Sequence, residues 1–302
     1  MLRDALTGAL LAFATTLPLA WKWRLGMLRS ASAVALLALA AAGATAAVGP
    51  GIGLGAVALA ASAYLLTLLL AGATLAYRFF RDPERSAPGG DDVIVSPADG
   101  EVLYVHESRG GSLPVSSKHG RAYSLRELTK TPLAHEDAVV VGIGLSLLDV
   151  HVNRAPIAGR ISLLRRLPGC FGSLRRPEMV FENERATVVI EHDDLQVAVV
   201  LIASRLVRRI VAWVSEGEDV AIGQRIGMIR FGSQVDLVLP LREDVRVTVR
   251  PGEHVRAGES TIALLSRAPG EGSGAEAAGE LPVGAGTERE FGAAPQMDGI
   301  DA

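Results

Sequence analysis

Val214-Ser-Glu-Gly217-Glu-Asp-Val220-Ala-Ile-Gly223 is the stretch on which the fold turns, because it recurs as Val249-Arg-Pro-Gly252-Glu-His-Val255-Arg-Ala-Gly258. The pattern V-x-x-G-x-x-V-x-x-G reads as a strand, a tight turn that needs glycine, and a returning strand. A second echo pairs Pro97-Ala-Asp99-Gly100-Glu-Val102 with Pro156-Ile-Ala-Gly159-Arg-Ile161. Around both, short β-branched runs alternate with Gly, Pro and Asp: Val93–Val95, Val102–Val105, Val139–Leu145, Thr187–Glu191, Val197–Ile202 and Arg209–Val214. This spacing predicts a mainly β domain over 78–266, barrel-sandwich-like, with lipoyl-like Val-x-x-Gly hairpins. Its one helical signal is a turn or two near Ser124–Thr129. Such a repeat speaks for fold and not for chemistry.

Downstream lies Ile229-Arg-Phe-Gly232-Ser233-Gln-Val-Asp-Leu237, where apolar residues alternate on both sides of a Gly-Ser pair. Taken alone, it reads as a strand bulged at Gly232. Beyond Arg267 the chain is rich in Gly, Ala and Glu with little to bury, which predicts a disordered tail over 267–302.

Upstream, no charged residue occurs from Ser30 through Tyr77. That length suits two transmembrane helices over 31–77, near 31–48 and 53–77, broken at Gly49-Pro50-Gly51. Lys22, Arg24 and Arg29 precede the pair, and Arg78, Arg81 and Arg85 follow it. Both ends therefore belong in the cytoplasm by the positive-inside rule, and the hairpin tethers a cytoplasmic domain to the cell membrane. Residues 1–30 contain another uncharged stretch over 5–21, with Trp21 and Trp23 at its end. The favoured reading is a helix lying in the interface; a further span, which would send the N-terminus outside, is the alternative. Ala, Leu and Val supply most of the 49% hydrophobic content, since aromatics are only 5%. The net charge of -3 argues against nucleic acid as a partner. A single cysteine, Cys170, and six histidines without ligand spacing argue against a metal site.

Four constellations carry the candidate chemistry. Arg78-Phe-Phe-Arg-Asp-Pro-Glu-Arg85 follows the second span, where aromatics and arginines suit a headgroup boundary or a dedicated structural role. Ser96-Pro-Ala-Asp99-Gly100 puts a carboxylate in a turn. In Asp149-Val-His151-Val-Asn153-Arg154-Ala-Pro156, strand alternation places His151 and Asn153 on one face and Arg154 on the other. Ser233 is a nucleophile if a base lies within hydrogen-bond reach. A carrier role would need an exposed lysine at a hairpin tip, and neither Val-x-x-Gly turn has one.

Together these segments resemble the phosphatidylserine decarboxylase family, in its short bacterial and archaeal branch, over roughly Tyr77 to Ser266. The matching text is RFFRDPER, SPADG, DVHVNRAPIAG, ENER (Glu182–Arg185) and RRIVAWVSEGEDVAIGQRIGMIRFGS ending at Ser233. The resemblance implies a self-processing enzyme with a pyruvoyl cofactor made from Ser233. Cleavage at Gly232-Ser233 would leave a membrane-bound large chain and a small chain, held together by the β core. His151 would activate Ser233, and Asp99 would orient His151. The pyruvoyl carbonyl would form a Schiff base with phosphatidylserine, and loss of CO2 would give phosphatidylethanolamine. A homo-oligomer is compatible with this reading. The alternatives are an archaetidylserine decarboxylase and a non-enzymatic membrane-anchored adaptor or carrier. Arg205, Arg208 and Arg209 read as a solvated strand face, with lipid phosphate as the alternative partner. Two departures stand out: Arg154 occupies the place of a second histidine in the long-form branch, and Gln234 follows the serine where that branch has threonine.

Overall fold

The computed structural model describes residues 1–23, 25–90, 92–116, 122–170, 172–174, 176, 178–204, 210–229 and 233–266. The predicted tail, Gly232 and its expected bulge, and Arg205, Arg208 and Arg209 lie outside them. Three helices lead: α1 (Leu2–Lys22), α2 (Met27–Val48) and α3 (Ala56–Phe80). Each is long and apolar enough to cross a membrane. The segment expected to lie in the interface is thus a helix packed along the other two. Ala5, Ala9, Ala38, Ala42 and Ala63 form their shared contact. Gly8 approaches Ala60 so closely that a Cβ would fall 1.9 Å from its carbonyl oxygen. Small residues permit such backbone contact, while Leu10, Leu28, Leu36, Leu65 and Leu69 stay exposed on the outside, as lipid-facing residues do. The third helix runs past its expected end near 77, so Arg78, Phe79 and Phe80 are helical.

The remaining described chain is mainly β. Its strands are β1 (Val93–Val95), β2 (Gly100–Ser108), β3 (Ser112–Ser116), β4 (Ala122–Ser124), β5 (Ala138–Leu145) and β6 (Val152–Arg154). They continue as β7 (Gly159–Leu167), β8 (Arg185–His192), β9 (Leu195–Ala203), β10 (Ile210–Ala212) and β11 (Asp219–Val220). The last are β12 (Arg225–Ile229), β13 (Ser233–Pro240), β14 (Val245–Val247), β15 (His254–Val255) and β16 (Thr261–Leu265). Eight of them form one sheet in the order β11-β7-β8-β9-β13-β5-β2-β15. Two three-stranded sheets, β10-β12-β6 and β1-β16-β14, and the β3-β4 pair complete the domain. Short helices α4 (Leu125–Thr129) and α5 (Met179–Glu182) are added, α4 opening on a capping box between Ser124 and Glu127.

The long sheet is covered on both faces. Val235, Leu237 and Leu239 of β13 enter the main core with Ile94, Ile143, Val199 and Ile262. Val238 enters a second core on the other face, with Val140, Val200, Leu128 and Phe181. That explains why β5 and the Val197–Ala203 part of β9 read as unbroken apolar runs rather than alternating ones. Each fully buried Val, Leu or Ile contributes roughly 1.5–3 kcal/mol, so the middle of this sheet dominates the domain's stability.

The two echoes are structurally matched, but not as local hairpins. β11 pairs with Gly159-Arg160 of β7, and β15 pairs with Gly100-Glu101 of β2. Each returning strand thus finds its partner in the other echo and not in the strand before it. Gly217 N donates to Ile161 O and Ile161 N to Glu218 O; Gly252 N donates to Val102 O and Val102 N to Glu253 O, all at 2.8 Å. Gly223 N reaches Ala155 O and Gly258 N reaches Ser96 O, also at 2.8 Å. The bond from Arg154 N to Pro97 O is answered by one from Val95 N to Pro156 O, both 2.9 Å. The domain is therefore built on a quasi-two-fold relation. Gly100 and Gly159 are needed at its corners: φ is +147° and +152°, and a Cβ would fall 2.2 and 2.3 Å from the carbonyl oxygens of Gly144 and Glu191. A strand of two residues makes too few bonds to hold a hairpin, which is why the pairing is long-range.

Candidate active site

His151 follows a tight turn in which Ser146 N donates to Asp149 Oδ2 at 2.7 Å. The imidazole is fully buried. Its Nδ1 lies 2.9 Å from the Asp149 carbonyl oxygen. A carbonyl can only accept, so the proton sits on Nδ1 and the lone pair on Nε2. That Nε2 has no hydrogen-bond partner among the described residues. Phe79, from the last turn of α3, lies over the ring at a centroid distance of 3.9 Å and a tilt of 34°. Burial pushes the imidazole down to about 4, against smaller upward pulls from the Asp149 carbonyl and the Asp149 and Asp99 charges. His151 is thus neutral at physiological pH, with a buried lone pair on Nε2 that has no partner among the described residues.

Asp99 is close enough to act on His151 by charge, but its oxygens are committed elsewhere. Arg85 holds both oxygens: Nη1 bonds Oδ1, and Nη2 bonds Oδ2 at 2.9 Å. Ala257 N donates to Oδ1 at 2.8 Å, and Arg85 Nη1 also reaches Ala257 O at 2.8 Å. No Asp99–His151 hydrogen bond occurs among the described residues. Among the described residues, the contact to His151 Nδ1 is made by the carbonyl of Asp149.

Asn153 shares the His151 face, as strand alternation predicts, and is fully buried. Its Nδ2 is 3.4 Å from Pro97 O, and its Oδ1 has no partner among the described residues. Arg154 is turned to other work: Nη1 donates to Gly223 O at 3.0 Å, and Nη2 to Pro83 O at 2.9 Å and Asp82 Oδ1 at 3.2 Å. Asp82 also holds Arg225 at 2.6 Å, and Glu84 holds Arg225 at 2.7 Å. The Arg-Phe-Phe-Arg-Asp-Pro-Glu-Arg segment is therefore a strap. Phe79, Asp82, Glu84 and Arg85 each bind a residue of the β domain, and together they fasten α3 to the site. The partners of this segment are distant in the chain, so its local sequence carries no sign of them.

Ser233 opens β13, flanked by Leu145 of β5 and Ala203 of β9. The preceding strand, β12, ends at Ile229, whose N donates to His151 O at 3.2 Å. β12 belongs to the β10-β12-β6 sheet and β13 to the eight-stranded sheet. Ile229 and Ser233 thus belong to strands of different sheets, and the expected bulge at Gly232 lies outside the described residues. β12 ends bonded to His151, and β13 begins at Ser233 in the other sheet. Among the described residues there is no cluster of three or more His, Cys, Asp or Glu side chains able to hold a metal.

A phosphatidylserine decarboxylase family profile matches residues 73–263. An archaetidylserine decarboxylase proenzyme from Methanocaldococcus jannaschii is 40% identical over 186 residues, covering 62% of this chain and 87% of that one. A similarly named protein from Methanothermobacter thermautotrophicus is 40% identical over 189 residues, covering 63% and 80%. A phosphatidylserine decarboxylase proenzyme from Erythrobacter litoralis is 39% identical over 215 residues, covering 68% and 82%. The matched region takes in the strap, the Asp99 turn, His151 and Ser233, and the chain belongs to the phosphatidylserine decarboxylase family of lyases.

Proposed function

We propose that this decarboxylase acts on phosphatidylserine at the membrane surface, after dividing its own chain between Gly232 and Ser233. The observation that carries the reading is the state of His151: neutral, buried, with Nε2 unpartnered and its carbonyl bonded to the end of β12. His151 Nε2 takes the Ser233 hydroxyl proton as the oxygen attacks the Gly232 carbonyl carbon. The peptide becomes an ester. Loss of the Ser233 α-hydrogen then expels the Gly232 carboxylate and leaves a dehydroalanine. Water adds and ammonia departs, so that chain 233–302 begins with a pyruvoyl group and chain 1–232 ends in a carboxylate.

The site's residues fit such a group. Two buried acceptors without partners among the described residues, His151 Nε2 and Asn153 Oδ1, call for donors such as a substrate amine. When present, the pyruvoyl ketone supplies a carbonyl that takes up the amine and accepts the electron pair left by CO2. His151 holds the proton that replaces the carboxylate. Arg154, in the place of a second histidine, is engaged by the strap, so His151 serves both steps. β13 stays held after the cut by its pairing with β5 and β9.

The membrane supports the same reading. Phe79 ties the site to the end of α3, so a lipid headgroup can reach it without leaving the bilayer. Arg78, Arg81 and Arg85 put that end in the cytoplasm, and α1 crosses as a third span with the N-terminus outside. The paired turns and their quasi-two-fold bonding support a barrel-sandwich-like domain. Archaetidylserine is the second substrate reading, because two relatives carry that name at similar identity. Mass spectrometry tests the division: a small chain 233–302 with a blocked N-terminus is expected, and an intact chain in active preparations would refute it. Ser233→Ala is expected to remain whole and inactive.

A further inference from the structure

Asp236 has no part in the chemistry above, yet its side chain is wholly buried. Its Oδ2 accepts from the Tyr104 hydroxyl at 2.9 Å, and its Oδ1 accepts from Gln234 Nε2 at 2.7 Å. Gln234 Nε2 also donates to the Tyr104 oxygen at 2.7 Å, which closes the three groups into a ring. The amide spends its two hydrogens and the phenol its one, so these donors are all used. Burial raises the Asp236 carboxyl to about 6 and raises the Tyr104 phenol as well. The Arg185 guanidinium, buried on β8, pulls the carboxyl the other way.

Tyr104 reaches this ring from two strands away. Tyr104, Gly142 and Asp236 lie in register across β2, β5 and β13. A Cβ at Gly142 would fall 2.3 Å from the phenol ring, so glycine leaves the path the ring crosses. Gln234 is the residue next to Ser233. By strand alternation Gln234 and Asp236 lie on the sheet face opposite Val235, so they do not touch the reacting atoms.

We propose that Tyr104, Gln234 and Asp236 form a positioning clamp that holds the Ser233 end of β13 before and after the chain divides. This rests on the reading that the cut falls before Ser233. From then on residue 233 is a chain end, and chain ends fray unless tied down. Tyr104 belongs to the large chain and its two partners to the small one, so the clamp joins the chains beside the new terminus. A fully satisfied buried network gives the stiffness that backbone pairing at a strand end lacks.

The test measures kcat per reactive carbonyl, titrated with phenylhydrazine, on processed full-length protein in phosphatidylserine mixed micelles. Tyr104→Phe and Asp236→Asn are each expected to lose about tenfold to a hundredfold in kcat, as sub-ångström to ångström misplacement does, with KM within about twofold. The double variant is expected to be no worse than the worse single, because the residues act as one unit. A merely structural role would lower Tm and leave kcat per carbonyl intact. Wild-type kcat in either processed variant overturns the clamp. Should a folded variant fail to process, its loss of cleavage is the same effect read at the earlier step, and the other variant is read by its rate of cleavage. A free serine amine on the wild-type small chain would instead remove the pyruvoyl reading, and kcat per protein would still decide the clamp.

Discussion

Phe79→Ala should make self-cleavage acid-sensitive. In the native chain Phe79 covers the His151 ring at 3.9 Å, and burial lowers the imidazole from 6.5 to about 4. That gap of about 2.5 units is worth roughly 3.4 kcal/mol between the two protonation states. At pH 5.5 an ordinary imidazole is neutral in about a tenth of molecules, whereas one near 4 is neutral in nearly all. Freshly synthesised precursor, followed by gel after a pH jump, should therefore divide at nearly the same rate at pH 7.5 and 5.5. Opening the ring to water with Phe79→Ala should move the midpoint toward 6.5 and slow cleavage at pH 5.5 by about tenfold. Phe79→Leu keeps the site dry and should retain the native profile. A native midpoint near 6.5, or an unmoved midpoint in Phe79→Ala, would refute the argument that burial sets this base.

Asp99→Asn should slow cleavage and destabilise the fold by about 3–5 kcal/mol in urea melts, because it strands the buried Arg85 charge. Arg85→Met with Asp99→Asn should recover much of that stability. Stability against pH gives a further check. His151, lowered on folding, costs stability as pH falls from 6.5 toward about 4; Asp236, raised to about 6, adds it over nearly the same window. The two offset in the native chain, so Asp236→Asn should uncover a loss of stability with acid that is absent in the parent. In a Cys170→Ser background, Leu2→Cys should label from the outside of sealed cells if α1 spans the membrane; labelling only after permeabilisation would place the N-terminus inside.

Some elements were legible because their determinants are local. The long uncharged run from Ser30 to Tyr77 announced α2 and α3, and the turn or two expected near Ser124–Thr129 is the short helix α4. Period two along Val-His-Val-Asn put His151 and Asn153 on one face, and both are buried there. Other elements were not legible, for a physical reason. The alternation around Gln234 and Asp236 does not say that β13 is covered on both faces, where its polar side chains bond each other inside. The Val-x-x-Gly echoes looked like hairpins because turn chemistry is local, whereas the pairing of two-residue strands is not.

The periodicities, the turn glycines, the apolar spans and the residue types that carry the family's chemistry are all written in the order of the chain. Tertiary structure decided which of those residues meet. It gave the Nδ1 contact of His151 to a backbone carbonyl, gave Asp99 to Arg85, and turned the juxtamembrane segment into a strap. It also put Ser233 at the start of a strand in a different sheet from the one that ends at Ile229. Side-chain identity is written locally, but burial, tautomer and partner are properties of groups brought together from distant positions, and they exist only once the chain has closed on itself.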